Sequence, residues 1–237
     1  MTDNRRDFIQ RLTLGGLALG TLPSSLHAAE PMRDAEPTGR LLYRSSLSGA
    51  AQTEPWDISW TKKLTGKHKA VFDSPDLDGG LGVMRAGIVA AQYMDVFKMP
   101  ASDFSAVIVL RHNGISLAMN QTYWDTYKIG KKLKAMNPLT EKPTDRNPAL
   151  LRESDGVPKN FAEFAVDKQI ARGVIVLACN LAFRDVVDAI VKADKIKEDE
   201  AAAKAKSMLI PGIIMQPSGV FATTLAQENG CIYVRAT

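Results

Sequence analysis

Cys179 is the residue best placed to do chemistry. It directly follows the apolar run Val174 to Ala178 and directly precedes an amphipathic segment, Leu181 to Ala193. A thiol at a strand-to-helix junction sits against helix N-terminal amides and the positive end of the helix dipole, which favour a thiolate. Arg184, about one turn on, adds positive charge and thiolate support; Asp185 and Asp188 act in the opposite sense unless they face away. A thiolate so placed can attack sulfur or accept a persulfide. The bland alternative is a buried, inert cysteine filling a small pocket.

Two more polar clusters follow apolar runs. Asp73 and Ser74 follow Lys69 to Phe72, and Arg111, His112, Asn113 and Gly114 follow Ala106 to Leu110. His112 has the types of role open to any histidine: base, ligand or hydrogen-bond donor. Gly114 suits a turn better than a phosphate cradle. With Asn180 beside Cys179, these residues form one candidate binding group if their strands end at the same edge of a sheet. In open α/β sheets, ligands bind outside that edge.

The elements that would position them alternate. Short apolar runs at 69–72, 106–110, 173–178, 210–215 and 231–235 read as strands. Apolar residues recur at helical spacing from Val83 to Met94, from Phe161 to Ala171 and from Leu181 to Ala193. Leu117 to Leu133 reads as one or two helices, with Trp124 and Tyr127 on a shared face as core or subunit contact. Glu198 to Met208 reads as a short helix. Pro217 is expected in the first turn of a last helix, closed by Gly230. Strands alternating with helices predict an α/β fold, a three-layer α/β/α sandwich around a mostly parallel five-stranded sheet.

Residues 135–159 hold Pro138, Pro143, Pro148 and Pro158 and read as an inserted irregular loop, of a length that is usually functional or mobile. Residues 30–66 read as an irregular arm, with Trp56 and Trp60 one turn apart and able to pin it to the domain.

The two cysteines, Cys179 and Cys231, fall at opposite ends of their strands. If those strands run parallel, a strand length of roughly 17 Å separates the sulfurs, and a disulfide needs Cα atoms within about 7 Å. No intramolecular disulfide is expected, and Cys231 reads as core. Two cysteines and three histidines do not support a zinc cage, and with no CxxC, HExxH, P-loop or GxGxxG motif neither a metal nor another cofactor is expected. The formal charge of +4 is mild and no basic stripe alternates with aromatics, which argues against nucleic acid.

The chain opens with Asn4, Arg5, Arg6, Asp7, Phe8 and Ile9, followed by a modest apolar stretch from Leu12 to Leu22 and small residues up to Ala29. This is the layout of a twin-arginine signal peptide over residues 1–29. The stretch is shorter than the about 20 residues a membrane span needs. Export to the periplasm through the twin-arginine translocase is expected, with a membrane tether by an uncleaved signal as the alternative. Such substrates cross folded.

Across residues 67–237 the order of motifs is similar to one family: KAVF from Lys69, VIVLRHNG from Val107, VIVLACNLAFR from Val174, then SGVFA from Ser218 and QENGCIY from Gln227. This resembles the DsrE/DsrF-like sulfur-relay domain. The resemblance implies a parallel five-stranded sandwich, homo- or hetero-oligomers, and sulfur carried as a persulfide on a junction cysteine in a C-x-x-A-x-R context, matched by Cys179 to Arg184. Its partners would be a sulfur donor or acceptor, protein or small molecule. Two other classes stay open: a non-catalytic small-molecule or partner-binding module, with the 135–159 segment over the same edge, and a cofactor-carrying redox protein, suggested only by the export route.

Overall fold

The computed structural model describes residues 55–237. The expected signal peptide and the arm before residue 55 lie outside the described residues.

The chain runs through β1 (His68–Ser74), α1 (Leu81–Phe97), β2 (Phe104–Leu110), α2 (Gln121–Thr126), α3 (Ile129–Leu133), a two-residue hairpin of β3 (Met136–Asn137) and β4 (Lys142–Pro143), then α4 (Lys159–Ala162) and α5 (Val166–Ala171). It continues with β5 (Ile175–Cys179), α6 (Asn180–Asp194), α7 (Glu198–Ser207), β6 (Ile214–Gln216), α8 (Gly219–Glu228) and β7 (Ile232–Arg235). Five of these strands form one sheet in the order β6-β5-β2-β1-β7, and every pairing is parallel. The expected three-layer α/β/α sandwich is the observed one.

The topology follows from the handedness of crossovers. From β1 to β2, β5 and β6, each step moves one strand in the same direction, so right-handed connections keep their helices on one face. The last connection runs back across the whole sheet to β7 and puts α8 on the other face. Side-chain alternation agrees with this. Phe72, Ile108, Leu110, Val176 and Ala178 share one apolar cluster with α1 and α6. Val71, Val107, Val109, Ile175 and Leu177 share a second with Ala222 and Ala226 of α8. Trp60, fully buried, joins that second cluster from a 3-10 turn at Ser59–Lys63. Its partner in the sequence reading, Trp56, is half-buried.

Several boundaries move for local reasons. The strand expected at 210–215 begins only at Ile214, because Pro211 lacks an N–H and Gly212 turns the chain at φ 89°. Pro217 lies outside the last helix; Ser218 is its N-cap, with Oγ accepting from the Phe221 N–H at 3.0 Å. The helix expected over 161–171 breaks at Ala165, which is extended. The segment read as Leu117 to Leu133 starts as a 3-10 turn, His112–Ala118, and then splits at Lys128 (φ 52°). Trp124 and Tyr127 are buried in the core.

The 135–159 segment is pinned by two buried asparagines. Asn147 donates to the carbonyls of Leu117 and Met119 and accepts from the Ala149 N–H. Asn137 donates to the Asp155 carbonyl and accepts from the Leu139 N–H. The segment thereby packs against the turns leaving β1 (Asp78–Gly80) and β2. Among the described residues, no helix is long and apolar enough to cross a membrane.

Candidate functional site at the carboxyl edge of the sheet

The parallel pairings bring the sequence clusters to one edge. Ser74 ends β1 opposite Leu110 of β2, and Cys179 ends β5 opposite Gln216 of β6. The edge has two halves with different chemistry.

Around β7, β1 and β2, the side chains of Asp73, Arg111 and Tyr233 satisfy one another. Asp73 is 1% exposed. Arg111 grips it with two parallel bonds, Nε to Oδ1 at 2.7 Å and Nη2 to Oδ2 at 2.8 Å, and the Tyr233 hydroxyl donates to Oδ2 at 2.6 Å. Burial pushes the Asp73 carboxyl up. The bonds from Arg111 and Tyr233 and the Arg111 charge outweigh it and hold the carboxyl below the usual carboxylate range. The same contacts raise Arg111 and Tyr233, in each case chiefly through the bond to Asp73. Helix α8 begins against the Arg111 stem. A Cβ on Gly219 would lie 2.6 Å from Arg111 Cδ, so glycine permits the approach.

The turn leaving β2 is built by close approach. The Gly114 N–H donates to the Pro75 carbonyl at 2.9 Å, and a Cβ there would lie 2.3 Å from the Ser74 carbonyl oxygen. Gly114 serves that turn. His112 stands at φ 45°, exposed, with Asn113 exposed beside it. The Ser74 hydroxyl points the other way, toward α1. It is buried without a hydrogen-bond partner, and a Cβ on Gly82 would meet it.

Around β5 and β6, Cys179 and Gln216 do not bond to each other. Cys179 is at once the last residue of β5 and the N-cap of α6, and its Sγ accepts from the Ala182 N–H at 3.4 Å. It is 6% exposed. Asn180 and Arg184 are half-buried on the first turns of α6, while Asp185 and Asp188 are exposed and face solvent. Across the strand pair, fully buried Gln216 donates through Nε2 to the carbonyls of Asp57 and Met215 at 2.8 and 2.9 Å, and its Oε1 has no partner among the described residues. Here β5 leaves toward α6 on one face and β6 leaves toward α8 on the other. The sheet's topological switch point, where such folds place ligands, therefore lies between Cys179 and Gln216.

The structure thus unites Asp73 with Arg111, and β2 stands between the strand of Asp73 and that of Cys179. Sequence reasoning missed Tyr233 and Gln216, since only strand order and register bring them to the edge. Cys231 precedes β7 at the opposite end of its strand, and burial pushes its thiol up. Both cysteines are free. Among the described residues, no three His, Cys, Asp or Glu side chains gather in a way that could hold a metal ion.

Compared with known proteins, the chain matches no family model and no curated sequence.

Proposed function

We propose that this protein carries sulfane sulfur as a persulfide on Cys179, in the manner of the DsrE/DsrF-like domains it resembles, and that it does so in the periplasm after twin-arginine export. The observation that carries the reading is the position of Cys179. Its sulfur caps a 15-residue helix at the switch point of a parallel sheet. The export part rests on Arg5, Arg6, Phe8 and the apolar stretch behind them.

The chemistry is an exchange without net oxidation. The Cys179 thiolate attacks the outer sulfur of a donor persulfide, R–S–SH. The new S–S bond forms on Cys179 as the donor S–S bond breaks, and the donor leaves as a thiolate that takes up the proton Cys179 released. The Ala182 N–H supports negative charge on Sγ before attack.

The test is loading of the full chain with a low-molecular-weight persulfide, read by intact mass. The chain should gain one sulfur that a dithiol removes, Cys231→Ser should gain it too, and Cys179→Ser should gain none. Loading of Cys179→Ser to the same extent would overturn the reading.

The near-complete burial of Cys179 favours a second reading, a binding module in which the thiol only packs. In that case the 135–159 segment, packed over the exits of β1 and β2, would be the functional part. Deleting residues 137–157 would then abolish partner or ligand binding, while Cys179→Ala would leave it intact.

A further inference from the structure

Away from that edge, α3 and the β3-β4 hairpin form one basic face. Helix α3 buries Ile129 and Gly130 and leaves Lys128, Lys131 and Lys132 exposed. Lys134 caps the end of α3 and Lys142 opens β4, and both are exposed. Gly130 joins the two pieces. A Cβ there would lie 2.4 Å from the Thr144 carbonyl oxygen, so the helix backbone rests directly on the chain leaving β4. Lys131 and Lys134 line one shallow groove with Met136 and Pro143.

Among the described residues, none of these five lysines forms an ion pair. Lysines three and four positions apart on a helix repel one another. Lys128 to Lys134 spans roughly 9 Å at the helical rise. That is close to the Debye length of about 8 Å at physiological salt, so the charges act together. Three exposed carboxylates stand near them in the chain, Asp125, Glu141 and Asp145. The excess charge is therefore positive but modest, and charge alone would hold an anionic partner weakly. The face has a second means of attachment. Leu133 and Met136, set among the lysines, are each 41% exposed.

These features separate the candidate occupants. A lone small anion in the groove would meet Asp145, which also lines it. A soluble polyanion would use the lysines and leave Leu133 and Met136 in water. The surface of an anionic bilayer uses both, lipid phosphates for the lysines and the headgroup-acyl boundary for the two apolar side chains. We propose that this face docks the protein on a membrane surface rich in anionic phospholipid. The contact is peripheral and needs no membrane-spanning helix. It does not depend on Cys179 or on sulfur chemistry.

The experiment is cosedimentation of the full chain with vesicles of equal parts phosphatidylglycerol and phosphatidylcholine, and with vesicles of phosphatidylcholine alone. The anionic vesicles should bind the chain more tightly. Lys131→Gln with Lys134→Gln should weaken that binding about fivefold for each lysine lost. Leu133→Ser with Met136→Ser should weaken it as well. All four positions are exposed, so these variants keep the fold. Arg5 and Arg6, with the apolar stretch behind them, are a second basic and apolar segment, and Arg5→Gln with Arg6→Gln measures their share. If the preference for anionic vesicles follows Arg5 and Arg6 and the lysine pair changes nothing, the proposal is overturned. Equal binding to both kinds of vesicle overturns it too. If the lysine pair matters, the Leu133 and Met136 pair does not, and heparin binds as tightly as the vesicles, the face is a polyanion site and the membrane assignment falls.

Discussion

The two halves of the carboxyl edge are made from the same kind of material, polar residues delivered by buried parallel strands, yet they differ in what they leave unused. In the β7-β1-β2 half, the charged pair and its hydroxyl partner satisfy one another, while the buried Ser74 hydroxyl has no partner among the described residues. Asp73 takes both arms of Arg111 and the Tyr233 hydroxyl, and charges cancel. In the β5-β6 half, among the described residues, Cys179 Sγ accepts one weak bond and Gln216 Oε1 has none. The difference teaches that a polar cluster at a strand end is not evidence of a site until its partners are counted. The first half is a lock that ties three strands and the start of α8 together.

The comparison breaks most sharply at Asp73. In Asp73→Asn, Arg111 keeps its charge and loses its counter-ion, which should cost about 3 kcal/mol in urea unfolding. Persulfide loading of the folded fraction should not change; a parallel loss of loading would mean the halves act as one site. The acid limb sharpens the same point. The Asp73 carboxyl lies below its unfolded value of about 3.9. Its stabilisation is present above that value and is lost as pH falls through the lower folded one. Stability should therefore drop more steeply below about pH 4 in the natural chain than in Asp73→Asn.

Next comes the turn between the two halves. Gly114→Ala places a methyl 2.3 Å from the Ser74 carbonyl oxygen, and neither backbone can yield cheaply. A loss of about 2 kcal/mol is expected from calorimetry. His112→Ala, two residues away and exposed, should cost much less. Equal losses at the two positions would remove the steric argument for glycine.

Much of this fold was legible because its strands are buried on both faces. Val107 to Leu110 and Ile175 to Ala178 read as unbroken apolar runs, and α6 carries a clear helical period. That Asp73, His112 and Cys179 share an edge follows from parallel strands alone. Which of them interact does not. The register sets Asp73 beside Val109, and Arg111 reaches back from two residues beyond; Tyr233 arrives only because the last strand pairs with the first. Local chemistry was no easier. The 135–159 segment has no apolar period because side-chain-to-backbone bonds of Asn137 and Asn147 hold it, and such bonds leave no periodic trace. Gln169, buried and donating to the carbonyls of Val83 and Phe164, was invisible for the same reason. A single amide bonded to two carbonyls looks like any surface glutamine until α1 and α5 are packed.

The smallest stability effect should come from the residue that matters most to the proposed chemistry. Cys179→Ser exchanges one capping acceptor for another, and serine is a favoured N-cap, so the shorter hydroxyl can keep the Ala182 bond. The change in unfolding free energy should stay within about 1 kcal/mol, while sulfur loading is lost altogether. Cys231→Ser should invert that pattern. The Cys231 thiol packs among Val71 and Ala222 at the amino end of its strand, where a hydroxyl gains no helix to cap, and the cost there should be about 1–2 kcal/mol with loading intact. If instead Cys179→Ser proves the more destabilising of the two, the sulfur of Cys179 is held for its packing. The open half of the edge would then have to be read through Gln216 and whatever donates to its Oε1.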